Sequence, residues 1–409
     1  MQPTPARASA ILWTVNLASI AASVFTYVYL AYYVYTTTGS LVLSEAVVLA
    51  PMVIPVLMCL AINRIAGSGS PRGILMAANA AGLLVAFVTY MTVERHFAVA
   101  LVGALLIGLV DAIQRVARTV AIKRYFAAAD VKYAVPITLT AQFIAGAIAG
   151  VALSFYQGEV TPRVAAAITV SGFLVAAAAA ALLPGLPSLA ASGNAPQLKG
   201  LGTVGTLKAL LAQDVQLRRH FMAFVIVVST LQGFFNVSRV ALPLHVLQLP
   251  QSFVGYLQII GATAALIAAL AFALLGRVGL ALGRRTTALI TTACLFAMVG
   301  ATTSHNVAAS YTLYALYMFS WEILFFKYQS DLVNATPSER MALVATFQYA
   351  AVYAGMLMTG LAGGFVVEAV GLPLCATAFA LVYLSAMSWN VASTGRATES
   401  VRDAVATTR

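Results

Sequence analysis

The chain has 409 residues, of which 61% are hydrophobic and only 9% charged, with a formal net charge of +11. A soluble domain usually carries about 25% charged residues because its surface faces water, so this composition excludes a water-covered globule and points to lipid as the solvent. It also argues against nucleic-acid binding, which needs the basic residues on one exposed face; here they sit in short clusters between apolar runs, as topology-setting charge does.

Apolar runs long enough to cross a hydrocarbon layer of about 30 Å fall at 10–37, 41–63, 73–93, 97–119, 133–156 and 163–183, and again at 219–247, 252–275, 285–304, 308–330, 342–367 and 371–391. The stretch before Ile11 is short, and the run after it is too long for a signal-peptide core and lacks a small-residue cleavage site, so it reads as a retained first helix. Gln157, Gly158, Glu159, Thr161 and Pro162 mark the turn between spans five and six. The one long polar stretch divides twelve spans into six and six. The expected organisation is a six-helix bundle over 1–183, a cytoplasmic linker over 184–218, a second six-helix bundle over 219–391 and a cytoplasmic tail over 392–409. Within the linker, Thr203 to Leu217 has the pattern of a short amphipathic helix, with Leu207, Leu210 and Leu211 on one side.

Loop charges set the orientation. With the N-terminus inside, the cytoplasmic turns hold Arg64, Arg72, Arg118, Lys123, Arg124, Lys132, Lys199, Lys208, Arg218, Arg219, Arg277, Arg284, Arg285 and Arg340, whereas the other side holds Arg95 and Arg163. Both termini are therefore expected in the cytoplasm of a cell whose inner (plasma) membrane the chain spans.

The halves repeat. Asn63-Arg64-Ile65-Ala66 followed by Arg72 matches Gly276-Arg277-Val278-Gly279 followed by Arg284 and Arg285 at a shift of 213 positions, and Asp111 in span four matches Glu322 in span ten at a shift of 211. Sites in duplicated carriers lie between the repeats near the membrane midplane. On these residues the chain resembles the major facilitator superfamily over its whole length. The signature turn of that family, Gly-x-x-x-Asp-Arg/Lys-x-Gly-x-Arg/Lys-Arg/Lys, is met by Arg64 and Arg277 at the first basic position, Gly279 at the second glycine and Arg72, Arg284 and Arg285 at the close. Asn63 and Gly276 replace its acid. The resemblance implies an all-α fold of two pseudo-symmetric six-helix bundles that rock by alternating access, with the broad likeness pointing to bacterial efflux members.

Ionisable residues at the centre of a span are costly and normally face a cavity or a partner. Asp111, Arg115 and Arg118 share one face of span four at i, i+4 and i+7; the first two can neutralise each other, and Arg118 is expected nearer the inner end as a gate or a snorkelling side chain. Glu322, Phe326 and Gln329 share a face of span ten, beside Trp321. A carboxylate desolvated at that depth holds its proton more readily, so Glu322 and Asp111 are the candidates for proton coupling; the alternative for Glu322 is a strut to Lys327. Gln232, Asn236 and Arg239 form a polar stripe on span seven, with Arg239 suited to an anionic group or to a bridge with Glu45. Asn16, Ser23 and Tyr27 in span one, Gln142 in span five and Gln348 in span eleven complete the substrate-binding candidates. Gly146 with Gly150, and Gly360 with Gly364, have the spacing of close helix contacts.

No P-loop, nucleophile elbow or zinc signature is present; Cys59, Cys294 and Cys375 lie in apolar segments, and His96, His220, His245 and His305 stand near span ends without metal-ligand spacing. No enzyme activity, metal or cofactor is therefore expected. The expected function is secondary transport by a monomer, with proton-coupled export of a small polar or amphipathic molecule such as a siderophore, another metabolite or a drug. An importer or uncoupled facilitator is the alternative within that class, and a non-transporting membrane sensor the alternative outside it.

Overall fold

The computed structural model describes residues 5–155, 161–186, 203–250, 252–280 and 282–407. The turn at Gln157–Glu159 and the linker positions Gly193 and Lys199 lie outside them. The helices are α1 (Pro5–Thr38), α2 (Leu41–Leu57), α3 (Cys59–Gly67), α4 (Pro71–Thr92), α5 (Ala98–Tyr125), α6 (Val131–Phe155), α7 (Pro162–Ala181), α8 (Thr203–Gln213), α9 (Val215–Val227), α10 (Gly233–Ala241), α11 (Ser252–Arg277), α12 (Arg284–Thr303), α13 (Val307–Ala335), α14 (Met341–Val370) and α15 (Leu372–Thr407). Among the described residues ten helices are long and apolar enough to cross a membrane, eleven if a bent pair counts as one span. Outside that count stands α13, 29 residues long, whose Glu322, Lys327, Asp331 and tyrosines lower its apolarity. The protein is a multi-pass, all-α membrane protein.

Two boundaries differ from the sequence reading in kind. The expected continuous span 41–63 is broken: α2 and α3 meet at Met58 with a 69° bend. Pro51 and Pro55 inside α2 remove the N–H donors that would close on Val47 and Pro51 and crowd the preceding turn. Span seven begins earlier than expected, at Val215, where the Asp214 side chain accepts from the Leu217 N–H at 2.9 Å. It then carries two π segments, Val228–Gln232 and Leu242–Val246.

The chain divides into two compact units, Met1–Gln197 with Pro337–Ala350, and Leu198–Thr336 with Ala351–Arg409. In the first unit α1 packs on α6, α7, α2 and α5, while α4 packs on α5 and α7. The Tyr90 hydroxyl on α4 meets Thr26 of α1 at 3.3 Å and Thr169 of α7 at 3.2 Å, tying three helices together through buried hydroxyls. In the second unit α13 packs on α9, α11 and α12, and α15 on α9 and α12.

Three of the four glycines expected at close contacts do not make them, and the surroundings of Gly150 lie outside the described residues. Space is open around Gly146, Gly360 and Gly364. Instead, a methyl group at Gly108 on α5 would lie 2.9 Å from the Pro51 Cα of α2, and one at Gly355 on α14 would lie 2.5 Å from the Ser229 Cβ. Spacing alone cannot tell an exposed small-residue pair from a buried one. Gly108→Ala is expected to lower stability by about 1–3 kcal/mol, because the contact it strains is backbone, whereas Gly146→Ala should leave it unchanged or raised; thermal unfolding of both variants in detergent checks the pair.

Candidate substrate-binding site

The first unit holds a polar interior built on α1 and α5. Asp111 is 7% exposed, and its Oδ2 accepts from the Arg115 Nε at 2.8 Å, the intrahelical pair that the i, i+4 spacing allows. Arg118 does not snorkel: it is 5% exposed, and its Nη1 donates to the Asn16 Oδ1. Asn16 in turn donates from Nδ2 to the Thr138 carbonyl of α6 at 2.7 Å. One turn earlier, the Trp13 Nε1 donates to the Thr140 hydroxyl at 2.9 Å. A buried amide pair, not anticipated from sequence, joins Gln114 Nε2 to Asn79 Oδ1 at 3.0 Å. Tyr27 and Gln142 are half-buried on α1 and α6. Gln348 is fully buried and belongs to the first unit, where the neighbouring Tyr349 hydroxyl lies 3.3 Å from the Thr119 hydroxyl of α5.

The second unit is built differently. Glu322 is 5% exposed and takes part in neither of the two ion pairs found among the described residues. The strut to Lys327 does not form, because Lys327 Nζ bonds Asp331 at 2.7 Å, one turn further along α13. Around Glu322 the helix is aromatic. Trp321 and Phe326 are buried, with Phe325 centred 5.5 Å from Trp321 and 5.3 Å from Phe326. The Trp321 Nε1 has no hydrogen-bond partner among the described residues. Gln232, Asn236 and Arg239 are half-buried; the Arg239 guanidinium lies 5.9 Å from the centre of the Phe235 ring and pairs with no carboxylate among the described residues, the Glu45 side chain lying outside them. Sequence reasoning missed two buried tyrosines here. Tyr314 lies 3.4 Å from the Ser238 hydroxyl, and the Tyr317 hydroxyl donates to the Leu231 carbonyl at 2.5 Å.

The signature positions divide by geometry. Gly279 has φ +72°, and the Gly279 and Leu280 N–H groups return to the Gly276 and Leu275 carbonyls at 3.2 and 2.9 Å. This is a Schellman ending, in which a left-handed residue closes the helix, so glycine is required there for backbone reasons. Arg64, Arg277, Arg284 and Arg285 are exposed and Arg72 is half-buried. A separate cavity of about 960 Å³ in the second unit is lined by His245, Gln248, Thr302, His305 and Glu368 among others, and by none of the binding candidates.

The sequence matches no protein-family model and no curated protein. Solved structures match over nearly the full length. A bacterial homologue of the iron transporter ferroportin in its outward-facing state is 12% identical, with a TM-score of 0.71 over 94% of this chain and 98% of that one. The human organic anion transporter MFSD10 is 14% identical, with a TM-score of 0.74 over 95% and 100%. The major facilitator superfamily transporter FucP in its outward conformation is 14% identical, with a TM-score of 0.67 over 93% and 97%. The chain has the major facilitator fold. At these identities the likeness concerns the fold, and the site chemistry rests on the residues above.

Removing the acid from the Asp111–Arg115 pair should expose its role. Asp111→Asn is expected to cost about 1–3 kcal/mol of stability, since it strands a partly buried cation, and the double change with Arg115→Gln should recover part of that loss; unfolding midpoints of the two variants give the comparison.

Proposed function

We propose that the protein is a secondary transporter that moves a small polar or amphipathic solute by alternating access, coupled to protons and running as an exporter. The carrying observation is Glu322, a 5% exposed acid on an aromatic stretch of α13, with no ion-pair partner among the described residues. A helix in lipid has no structural use for an unpaired acid, and such residues mark substrate or proton paths. Asp111, already paired with Arg115, is the secondary coupling group.

The solute-binding candidates are, within the second unit, Gln232, Asn236, Arg239, Trp321 and Phe326, and, within the first, Asn16, Tyr27, Arg115, Gln142 and Gln348; each unit offers the amides, cation and rings that a mixed polar and amphipathic solute would meet. The basic turns at Arg64, Arg72, Arg277, Arg284 and Arg285 support cytoplasmic termini and an inner-membrane location. The fold likeness to transporters, one of them described as a fucose:proton symporter, supports the class and leaves direction to experiment. Siderophores and other metabolites are the first solutes to screen.

A thermal-shift screen of the purified protein supplies a ligand. Its addition to weakly buffered wild-type protein is then expected to release protons, and to release none from Glu322→Gln, which should also lose about tenfold or more of gradient-driven transport in proteoliposomes while counterflow without a gradient persists. Equal release from both proteins would remove Glu322 from the mechanism, and counterflow indifferent to an imposed pH gradient in the wild type would make the carrier a facilitator.

A further inference from the structure

Three cations lie deep on helices α5 and α13, and two of them are neutralised locally: Arg115 by Asp111 at 2.8 Å and Lys327 by Asp331 at 2.7 Å, each one turn away. Arg118 is the exception. It is 5% exposed and lies about 10 Å along α5 from the helix end at Tyr125, at 1.5 Å per residue. The positions one turn either side of it, Gln114, Arg115, Ala121 and Ile122, include no acid. Among the described residues it enters no ion pair, and the hydrogen bond it makes is to the neutral Asn16 Oδ1.

A guanidinium carries five N–H donors, and burying its charge without a counter-charge is among the most costly arrangements a protein interior can hold. Asn16 cannot relieve that cost, yet it is fixed in the orientation that meets the arginine. Its Nδ2 donates to the Thr138 carbonyl at 2.7 Å, so flipping the amide would break both of its bonds. A prepositioned fork of donors with its charge unmatched is the complement of a planar or tetrahedral oxyanion, which arginine meets with two parallel hydrogen bonds.

We infer that Arg118, held by Asn16, binds an oxyanion, a carboxylate or a phosphate- or sulfate-type group, inside the first unit, and that the transported solute carries that group. The second clause rests on the transport reading; binding of the anion does not.

Citrate, sulfate and inorganic phosphate, each against sodium chloride of matched ionic strength and against neutral sugars, are the probes. Purified full-length protein in detergent is expected to show a saturable rise in unfolding temperature with at least one of the three anions and none with sugars. Arg118→Gln should weaken that response about tenfold or more, as loss of a bidentate charged contact implies, and Arg118→Lys should weaken it less. Trp13, three residues before Asn16 and bonded to Thr140, offers a second readout that needs no Arg118 variant: its fluorescence should change with the same saturation curve and lose that change in Trp13→Phe.

No response above ionic strength in the wild type overturns the inference, as does an equal response in Arg118→Gln. Saturation by phosphatidylglycerol micelles with no response to the free anions overturns it as well, by assigning the site to a lipid headgroup. Anion binding without counterflow in proteoliposomes would keep the inference and overturn the transport reading. Counterflow of a neutral solute with no anion response would do the reverse.

Discussion

The structure depends on how a helix that lipid surrounds disposes of its charges. A lone ionised side chain at membrane depth has neither water nor a high dielectric to stabilise it, so it is paired, solvated by neighbouring polar groups, or put to use. Each treatment is visible here. Lys327 and Arg115 are paired within their own helices, Arg118 is held by an amide, and Glu322 is buried with no ion pair among the described residues. The apolar helices are a frame whose geometry follows from length and hydropathy, and these few side chains are the places where it departs from what lipid alone would select.

The two units solve the same problem with different chemistry. In the first, amides and hydroxyls knit the interior, through Asn16 with Thr138, Asn79 with Gln114, and Tyr90 with Thr26 and Thr169. Satisfied polar networks of this kind fix helix orientation, because each partner has one position in which its donors and acceptors are met. In the second, rings dominate: Trp321, Phe325 and Phe326 pack ring against ring on the stretch of α13 that carries Glu322, and Tyr314 and Tyr317 bond to α10 and the π segment before it. Phenylalanine rings fill volume with no hydrogen-bonding demand, and tyrosine and tryptophan with one polar group each, which leaves the Glu322 carboxyl the odd member of this stretch. The two units thus carry unlike interiors.

Much of the fold was legible because the relevant signals are long and additive. Runs of some twenty apolar residues and the alternation of basic turns do not depend on any tertiary contact. The bend at Met58 was less legible, since Pro51 and Pro55 sit in an otherwise uninterrupted apolar run and a proline in a membrane helix can be absorbed as a kink as easily as a break. The site was legible in residue type but not in partnership. Helical spacing gave Asp111 with Arg115 correctly, because that pair is local. It could not choose between Lys327 and an unpaired state for Glu322, nor between snorkelling and burial for Arg118, because those outcomes are decided by Asp331 one turn away and by Asn16 on another helix. The close-packed glycines were misassigned for a related reason: Gly146 and Gly355 look alike in sequence, and only the facing helix distinguishes them.

The π segment at Val228–Gln232 has a consequence for the history of span seven. A π turn holds one residue more than an α turn and behaves as a single-residue insertion whose strain the neighbours have absorbed; here Thr359 donates to the Ser229 carbonyl at 2.7 Å, and Gly355 leaves room for the Ser229 side chain. Each residue in an α-helix advances the face by about 100°, so the insertion turns everything beyond it by that amount relative to what precedes it. Upstream, Phe221 and Phe224 pack into the unit as core residues. Gln232 closes the π segment, and downstream Asn236 and Arg239 continue the polar stripe. An ancestor lacking one residue in this segment would have carried the same polar letters on a different side of the helix, and a related chain that keeps the residues but loses the extra one need not have its stripe facing the same way.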